Sequence, residues 1–369
     1  MIPEKFEEVY LSDIVQSGFS NCVEGRVEWE CPSNIALIKY WGKKINQNPL
    51  NPSISFTLKK SVTKLSIAYS VYSEYSFYLD YLFEGASNDN FRNRLARYLQ
   101  SLVPYFPFLK NCRLKIETSN TFPHSAGIAS SASFYGAVAL ALCNMEIQLS
   151  GKEFVDSAIF RKASYIARLG SGSASRSVYG GFVLWGETGE YTGSSDEVAI
   201  PVAQEINPVF SDMRDSILIV SSEVKSISSS KGHELMSNHS FATARITQAN
   251  ENLPLLMNAL KTGDLYKFVD VIENEALTLH ALMMTSSPGY ILLRPETVKI
   301  IEKIRNFRIE TGMPVGFSLD AGPNVHVIYP VTIESQIHKF IDDELKCHCE
   351  NNRVIHDHVG EGPNNSFKL

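Results

Sequence analysis

Arg176 is the only charge in GSGSASRSVYGG, residues 170 to 181, where glycines, serines and alanine leave little side-chain bulk. Small residues let an anion approach backbone N–H groups, and an arginine adds a planar, permanently charged fork, so the run suits a phosphate or a carboxylate. The same composition also describes a flexible surface loop. A second anion site is offered by PHSAGIASSAS, which starts at Pro123, passes Gly127 and enters a long alanine-rich segment through Ser130 and Ser131. A helix start exposes unpaired N–H groups at the positive end of the helix dipole, and serine hydroxyls add donors or a metal contact. An ordinary capped helix explains a Ser-Ser pair equally well. No Gly-Lys-Ser/Thr follows, so a nucleoside triphosphate here would take its positive charge from Mg2+ or from distant Lys and Arg residues. Asp320, in FSLDAGPNVHV, stands at a strand end before the turn Ala321-Gly322-Pro323-Asn324, as a general base or as a turn-capping residue. Lys39, in NIALIKYWGKK, follows an apolar run, and a lysine on a buried strand needs a partner.

The elements that must hold these residues follow from periodicity. Alternating stretches NIALIKYWG, SISFTLKKSVTKLSIAYS and YSFYLDYLFE read as antiparallel strands, and DNFRNRLARYLQSLV as a helix. CRLKIETSN is a strand running into a segment apolar nearly all round from Ile128, the mark of a buried helix. GKEFVDSAIFRKASYIARLG is a second helix, whose terminal Gly170 suits a left-handed cap. GGFVLWGE and DSILIVSS return to strand, four further helical patterns follow, and PVGFSLDAGPNVHVIYP is strand, turn and strand. Segregated strands and helices indicate an α+β fold rather than a doubly wound sheet. Residues 1–30 read as a leader, 31–202 as an N-terminal domain and 203–369 as a C-terminal one, in two domains or one two-lobed unit with a shared core.

A net charge of -6 with no Lys/Arg run gives no nucleic-acid footprint. The first residues, MIPEKFEEVYLSDIVQ, lack the apolar core of a signal peptide or anchor, and no stretch approaches a membrane span, so the expected location is cytoplasmic. The six scattered cysteines read as free thiols. KCHCENNRVIHDH gathers Cys347, His348, Cys349, His356 and His358, but Cys-x-Cys is tighter than the usual zinc pair and no metal site is assigned. A homodimer is the base-rate expectation for quaternary structure.

Pro123-x-x-x-Gly127-x-x-Ser130-Ser131-Ala132 resembles the second motif of the galactokinase, homoserine kinase, mevalonate kinase and phosphomevalonate kinase superfamily. CPSNIALIKYWGKK, ARLGSGSASRSVYGGFVLW and FSLDAGPNVHV are similar, in order, to motifs of one branch, the mevalonate diphosphate decarboxylases. The resemblance, spanning Cys31 to Val327, implies an N-terminal lobe like ribosomal protein S5 and a C-terminal α/β sandwich with an antiparallel sheet. It implies ATP- and Mg2+-dependent decarboxylation of mevalonate 5-diphosphate to isopentenyl diphosphate, through phosphorylation of the C3 hydroxyl. Carried over by position, Asp320 is the base, Lys39 its neighbour, and Arg176 the grip on the substrate carboxylate or diphosphate. Tyr40, Lys43, Ser171, Gly172, Ser173 and Ser229 fall to the substrate, and Asn120, Ser125, Gly127, Ser130 and Ser131 to ATP. Trp41 receives no chemistry, and Lys44 reads as a solvated charge. ISSSKGHELM departs from the family's serine-rich loop: His233 stands where methionine is common, and Ser230 where some bacterial members have arginine, with Lys231 beside it. In HALMMTSSPGYILL, Leu279 replaces a methionine, and His280 reads as structural. A mevalonate 3-kinase, a decarboxylase of the monophosphate and a non-catalytic binding protein on the same fold are the alternative readings.

Overall fold

The burial of one long strand shows how the molecule is built. In β2 (Ser53–Val71), residues 53–58 are buried on both faces, whereas from Ser61 onward buried residues alternate with partly or fully exposed ones. A strand covered on both sides thus continues as one with a single face on the core. β1 (Val23–Ile38) pairs antiparallel along it, with irregularities at Pro32/Asn34 and Ala36/Ile38. The computed structural model describes residues 22–123, 128–151, 156–202, 205–223 and 227–365.

The first sheet is completed by β3 (Tyr78–Phe83), β4 (Ala86–Ser87), β5 (Cys112–Asn120), β6 (Phe182–Trp185) and β7 (Ala199–Pro201). Its order is β4-β3-β5-β2-β6-β7, with β1 paired to β2 off that path. α1 (Asp89–Ser101) is capped by the Asn88 side chain, and α2 (Ser130–Ser150) is buried continuously from Ala132 to Met145, as its all-round apolar sequence requires. α3 (Asp156–Gly170) and the short α4 (Ala174–Ser177) complete this lobe.

The second sheet is built from β8 (Met213–Leu218), β9 (Gly316–Ser318), β10 (Val325–Pro330) and β11 (Val354–His358), in antiparallel order β11-β8-β10-β9. Around it lie α5 (Ser229–Leu235), α6 (Ala242–Thr262), α7 (Leu265–Thr285), α8 (Pro295–Thr311) and α9 (Glu334–Phe340). One apolar cluster crosses between the lobes: Ile35, Ile54 and Phe182 from the first sheet pack with Phe210, Ile217, Leu256 and Phe268 from the second half. The fold is α+β with a core shared by two lobes.

Three expectations need correction. Val23–Glu30, read as the end of a leader, form the first half of β1, because alternate residues such as Val27 and Trp29 are buried against the sheet. Gly170 does not adopt a left-handed conformation. It is a glycine for space, since a Cβ there would lie 2.2 Å from the Tyr135 ring. Lys39 lies just beyond β1 rather than within a strand. The C-terminal segment, which carried no sequence pattern, returns to the first lobe through bridges Leu58–Val359 and Glu30–Asn364. Among the described residues no three His, Cys, Asp or Glu side chains are arranged to hold a metal, and no helix is long and apolar enough to cross a membrane.

Candidate active site

The ends of β1 and β9 meet where the lobes join, and a cleft opens there, lined from both sides by Lys39, Tyr40, Arg176, Ser229, His233 and Asp320 among others. Lys39 is 2% exposed, and its ammonium donates to Ala36 O (2.6 Å), Ser318 Oγ (2.9 Å) and Asp320 Oδ1 (3.2 Å). Burial pulls this lysine below its ordinary pKa, and Asp320 opposes the shift by charge and hydrogen bond. The Asp320 side chain is 22% exposed, so the carboxylate faces the cleft while one oxygen rests on the lysine. Its backbone carbonyl accepts from Gly322 N (2.7 Å) and hydrogen-bonds His280 Nε2 (3.0 Å).

Arg176 is 1% exposed. Its Nε donates to Ser55 Oγ (2.9 Å), one terminal nitrogen to Asn34 Oδ1 (3.3 Å) and the other to Ser53 Oγ, all neutral acceptors. A guanidinium carries five N–H groups, so donors remain for the cleft. Burial lowers its pKa to about 10, with Asp320 and Tyr40 opposing, so the charge persists at neutral pH. Among the described residues no carboxylate comes within ion-pair distance of it, and a buried cation in that state is prepared for an incoming anion. The segment around it is not a flexible loop: Ala174, Ser175 and Ser177 are buried, and a Cβ at Gly172 would lie 2.7 Å from both the Trp185 ring and the Tyr40 hydroxyl.

Ser171, Gly172 and Ser173 line the cleft, and Ser171 Oγ lies 3.3 Å from Ser131 Oγ, so the α2 start and the arginine segment meet. At that start Ala129 is left-handed (φ 42°, ψ 41°), sparsely populated for a residue with a Cβ, and among the described residues no side chain caps the first turn. First-turn N–H groups without a side-chain acceptor fit phosphate oxygens. Ser131 lines the cleft, and Ser130 begins the helix beside it. Asn120 ends β5, accepts from Thr63 Oγ1 (2.8 Å), and is not among the described residues that line the cleft. Ser125 and Gly127 lie outside the described residues. Asp320 is the one acidic residue among the described residues of the lining. Magnesium binds through few protein oxygens together with phosphates and water, so this donor set fits a metal carried on nucleotide phosphates.

Tyr40 OH donates to Gln47 O (3.0 Å) and Lys43 Nζ to Gln47 Oε1 (3.1 Å). Trp41 is buried among Met236, Leu279 and Leu282, and Lys44 is half exposed on Asp196 (2.9 Å). Sequence reading missed Asn34, Ser53 and Ser55, whose signal was polar residues in strands with no solvent-facing register. It missed Arg94, a cleft residue on α1 that reads as a solvated helix face. It also missed the buried pair Arg245–Glu275 (2.6 Å), which holds both sides of Lys39: Glu275 Oε2 accepts from Lys39 N (2.8 Å), and Arg245 donates to Lys39 O (2.9 Å).

A two-lobed α+β fold, with a helix start and a lysine-supported carboxylate on one cleft, defines the class: the galactokinase, homoserine kinase, mevalonate kinase and phosphomevalonate kinase superfamily. Within it the chain belongs to the diphosphomevalonate decarboxylase family. Residues 31–199 match the diphosphomevalonate decarboxylase-like N-terminal domain, and residues 216–366 the mevalonate 5-diphosphate decarboxylase C-terminal domain. A diphosphomevalonate decarboxylase of Gibberella zeae is 32% identical over 321 residues, covering 82% of this chain and 81% of the relative. The crystal structure of mevalonate diphosphate decarboxylase from Staphylococcus aureus has a TM-score of 0.78 at 28% identity, over 94% of this chain and 99% of that one. MDDEF in complex with MVAPP, AMPPCP and magnesium has a TM-score of 0.78 at 25% identity, over 94% and 100%.

Proposed function

We propose that this protein catalyses the ATP-dependent decarboxylation of mevalonate 5-diphosphate to isopentenyl diphosphate, releasing ADP, phosphate and CO2. The observation that carries the reading is the Lys39–Asp320 contact of 3.2 Å at the mouth of a cleft that also holds the buried Arg176. Asp320 takes the proton of the C3 hydroxyl as its oxygen receives the γ-phosphoryl group. Lys39, fixed by three acceptors, keeps the carboxylate oriented. Arg176 offers its remaining N–H groups to the substrate carboxylate or diphosphate. The C3–O bond then breaks with phosphate leaving, and the electron pair of the breaking C1–C2 bond forms the C2=C3 double bond as C1 departs as CO2. Phosphoryl transfer of this kind relies on positioning and charge stabilisation, which the rigid cations of this cleft supply.

Tyr40, Lys43, Ser171, Gly172, Ser173 and Ser229 would surround the substrate; Ser130 and Ser131, with Asn120, Ser125 and Gly127, the nucleotide. Mg2+ would supply charge neutralisation on the triphosphate, and the Ser130 and Ser131 hydroxyls at the helix start would be the protein oxygens to hold it. In this reading residues 31–202 carry the ATP site and 203–369 the catalytic aspartate, and the protein works as a cytoplasmic homodimer. Six free cysteines support a reducing compartment, and closed two-fold dimers are the commonest assembly. Light scattering on the purified protein tests the dimer. Purified protein with ATP, Mg2+ and mevalonate 5-diphosphate is expected to release CO2 and isopentenyl diphosphate. ADP without CO2 would assign a 3-kinase, and turnover of the monophosphate alone would assign its decarboxylase.

A further inference from the structure

His233 is one of three cleft residues, with Ser230 and Leu279, that depart from the pattern this chain otherwise resembles, and the structure gives its ring a defined hydrogen-bonding state. Gly42 N donates to His233 Nδ1 at 3.0 Å. A ring nitrogen accepts only when it carries no proton, so a neutral His233 holds its single proton on Nε2. The ring packs against Tyr40 (centroids 4.4 Å apart) and Trp41 (4.6 Å). Gly232 lets α5 press onto this wall, since a Cβ there would lie 2.6 Å from the Trp41 ring and the Tyr290 hydroxyl. The ring is therefore fixed by packing and by one backbone bond on Nδ1, while among the described residues nothing accepts from Nε2. Burial lowers its pKa to about 3 and Lys43 adds to the shift, which keeps the ring neutral beside a cation. Lys43 and Ser229 line the same cleft.

We propose that His233 is a substrate-binding residue: its Nε2–H donates to an oxygen of the substrate's diphosphate, in an anion subsite completed by Lys43 and Ser229. An ammonium, a hydroxyl and an oriented N–H on one wall match the oxygens of a phosphate chain, and a neutral donor adds a bond without adding a second charge beside Lys43. The proposal rests on the substrate class assigned above.

Three variants separate the two ring nitrogens. His233→Gln keeps a distal N–H donor, His233→Asn keeps only the acceptor facing Gly42, and His233→Met keeps neither. Calorimetric binding of mevalonate 5-diphosphate is expected to stay within about threefold of wild type in His233→Gln. It is expected to weaken roughly ten- to hundredfold in His233→Asn and His233→Met, the worth of one hydrogen bond to a charged group. KM should follow the same order with kcat little changed, and affinity for a non-hydrolysable ATP analogue should be equal in all four proteins. Asn binding like wild type while Gln weakens would reduce His233 to a support for the Gly42 turn and overturn the proposal. Gln falling with Asn and Met, or four equal affinities, would overturn it too. CO2 release by the wild type is measured separately: its absence with binding intact removes the assigned reaction and leaves the binding series to judge His233. Absence of binding by the wild type removes both.

Discussion

Lys39 spends all three of its protons on fixed acceptors, and only one of those, Asp320, is a carboxylate. Asp320→Asn retains size and polarity but cannot take the hydroxyl proton. Its kcat should fall by about 10²- to 10⁴-fold, the usual worth of a positioned base, with substrate affinity largely kept. Near-normal turnover in steady-state assays would remove Asp320 from the mechanism. Arg176→Lys keeps a charge but loses the fork that reaches Ser55, Ser53 and Asn34 at once. A raised KM and a lowered melting temperature are expected together, and unchanged kinetics would contradict its role. His233 makes a prediction in pH. It is held near 3 in the folded protein and titrates near 6.5 unfolded, so on acidification the unfolded chain takes its proton first. The stability contributed by the neutral ring is complete above about pH 6.5 and is lost as pH falls toward 3, by up to about 1.4 kcal/mol per unit. In denaturant titrations wild type should therefore lose stability relative to His233→Met between pH 6.5 and 4. A pH-independent difference would show that the ring is not held neutral.

At the scale of elements, the strands and helices are legible because their periods are written in apolar residues: β5 alternates, and α2 is apolar all round. The segment from Gly170 to Gly181 is harder to read, because a glycine needed for a left-handed turn and one needed for lack of volume are the same letter. Gly181 is left-handed (φ 66°), whereas Gly170 and Gly172 make room for the Tyr135, Tyr40 and Trp185 rings. Those rings come from other parts of the chain, so the reason for the glycines is not local. A flexible loop would absorb a methyl group, and this one is packed against aromatic walls. Gly172→Ala should destabilise the protein by about 1–3 kcal/mol, the usual cost of overpacking, and raise KM by moving Tyr40. Thermal melts and steady-state kinetics check both, and a variant indistinguishable from wild type would mean that the loop gives way.

The site as a whole is assembled from both lobes, and this is where sequence reading stops short. Motifs identify Lys39, Arg176 and Asp320, because reactive side chains in unusual company stand out one by one. The residues that hold them do not, because Arg245 and Glu275 look like the charged positions of two amphipathic helices until α6 and α7 fold against β1. There both are fully buried, and each takes one side of the Lys39 backbone. Removing one partner of such a pair leaves a buried charge alone and costs about 3–5 kcal/mol, whereas replacing both with apolar residues is often neutral. Glu275→Leu and Arg245→Met should each lower stability strongly, and the double variant should recover much of it. Turnover should not recover, because Lys39 N and O would still lack their charged partners and the ammonium would drift from Asp320. Measured as a double-mutant cycle, the pair should couple strongly in unfolding free energy while kcat stays low in all three variants. A double variant with wild-type turnover would show that the pair serves the joint between the lobes and does not position the lysine.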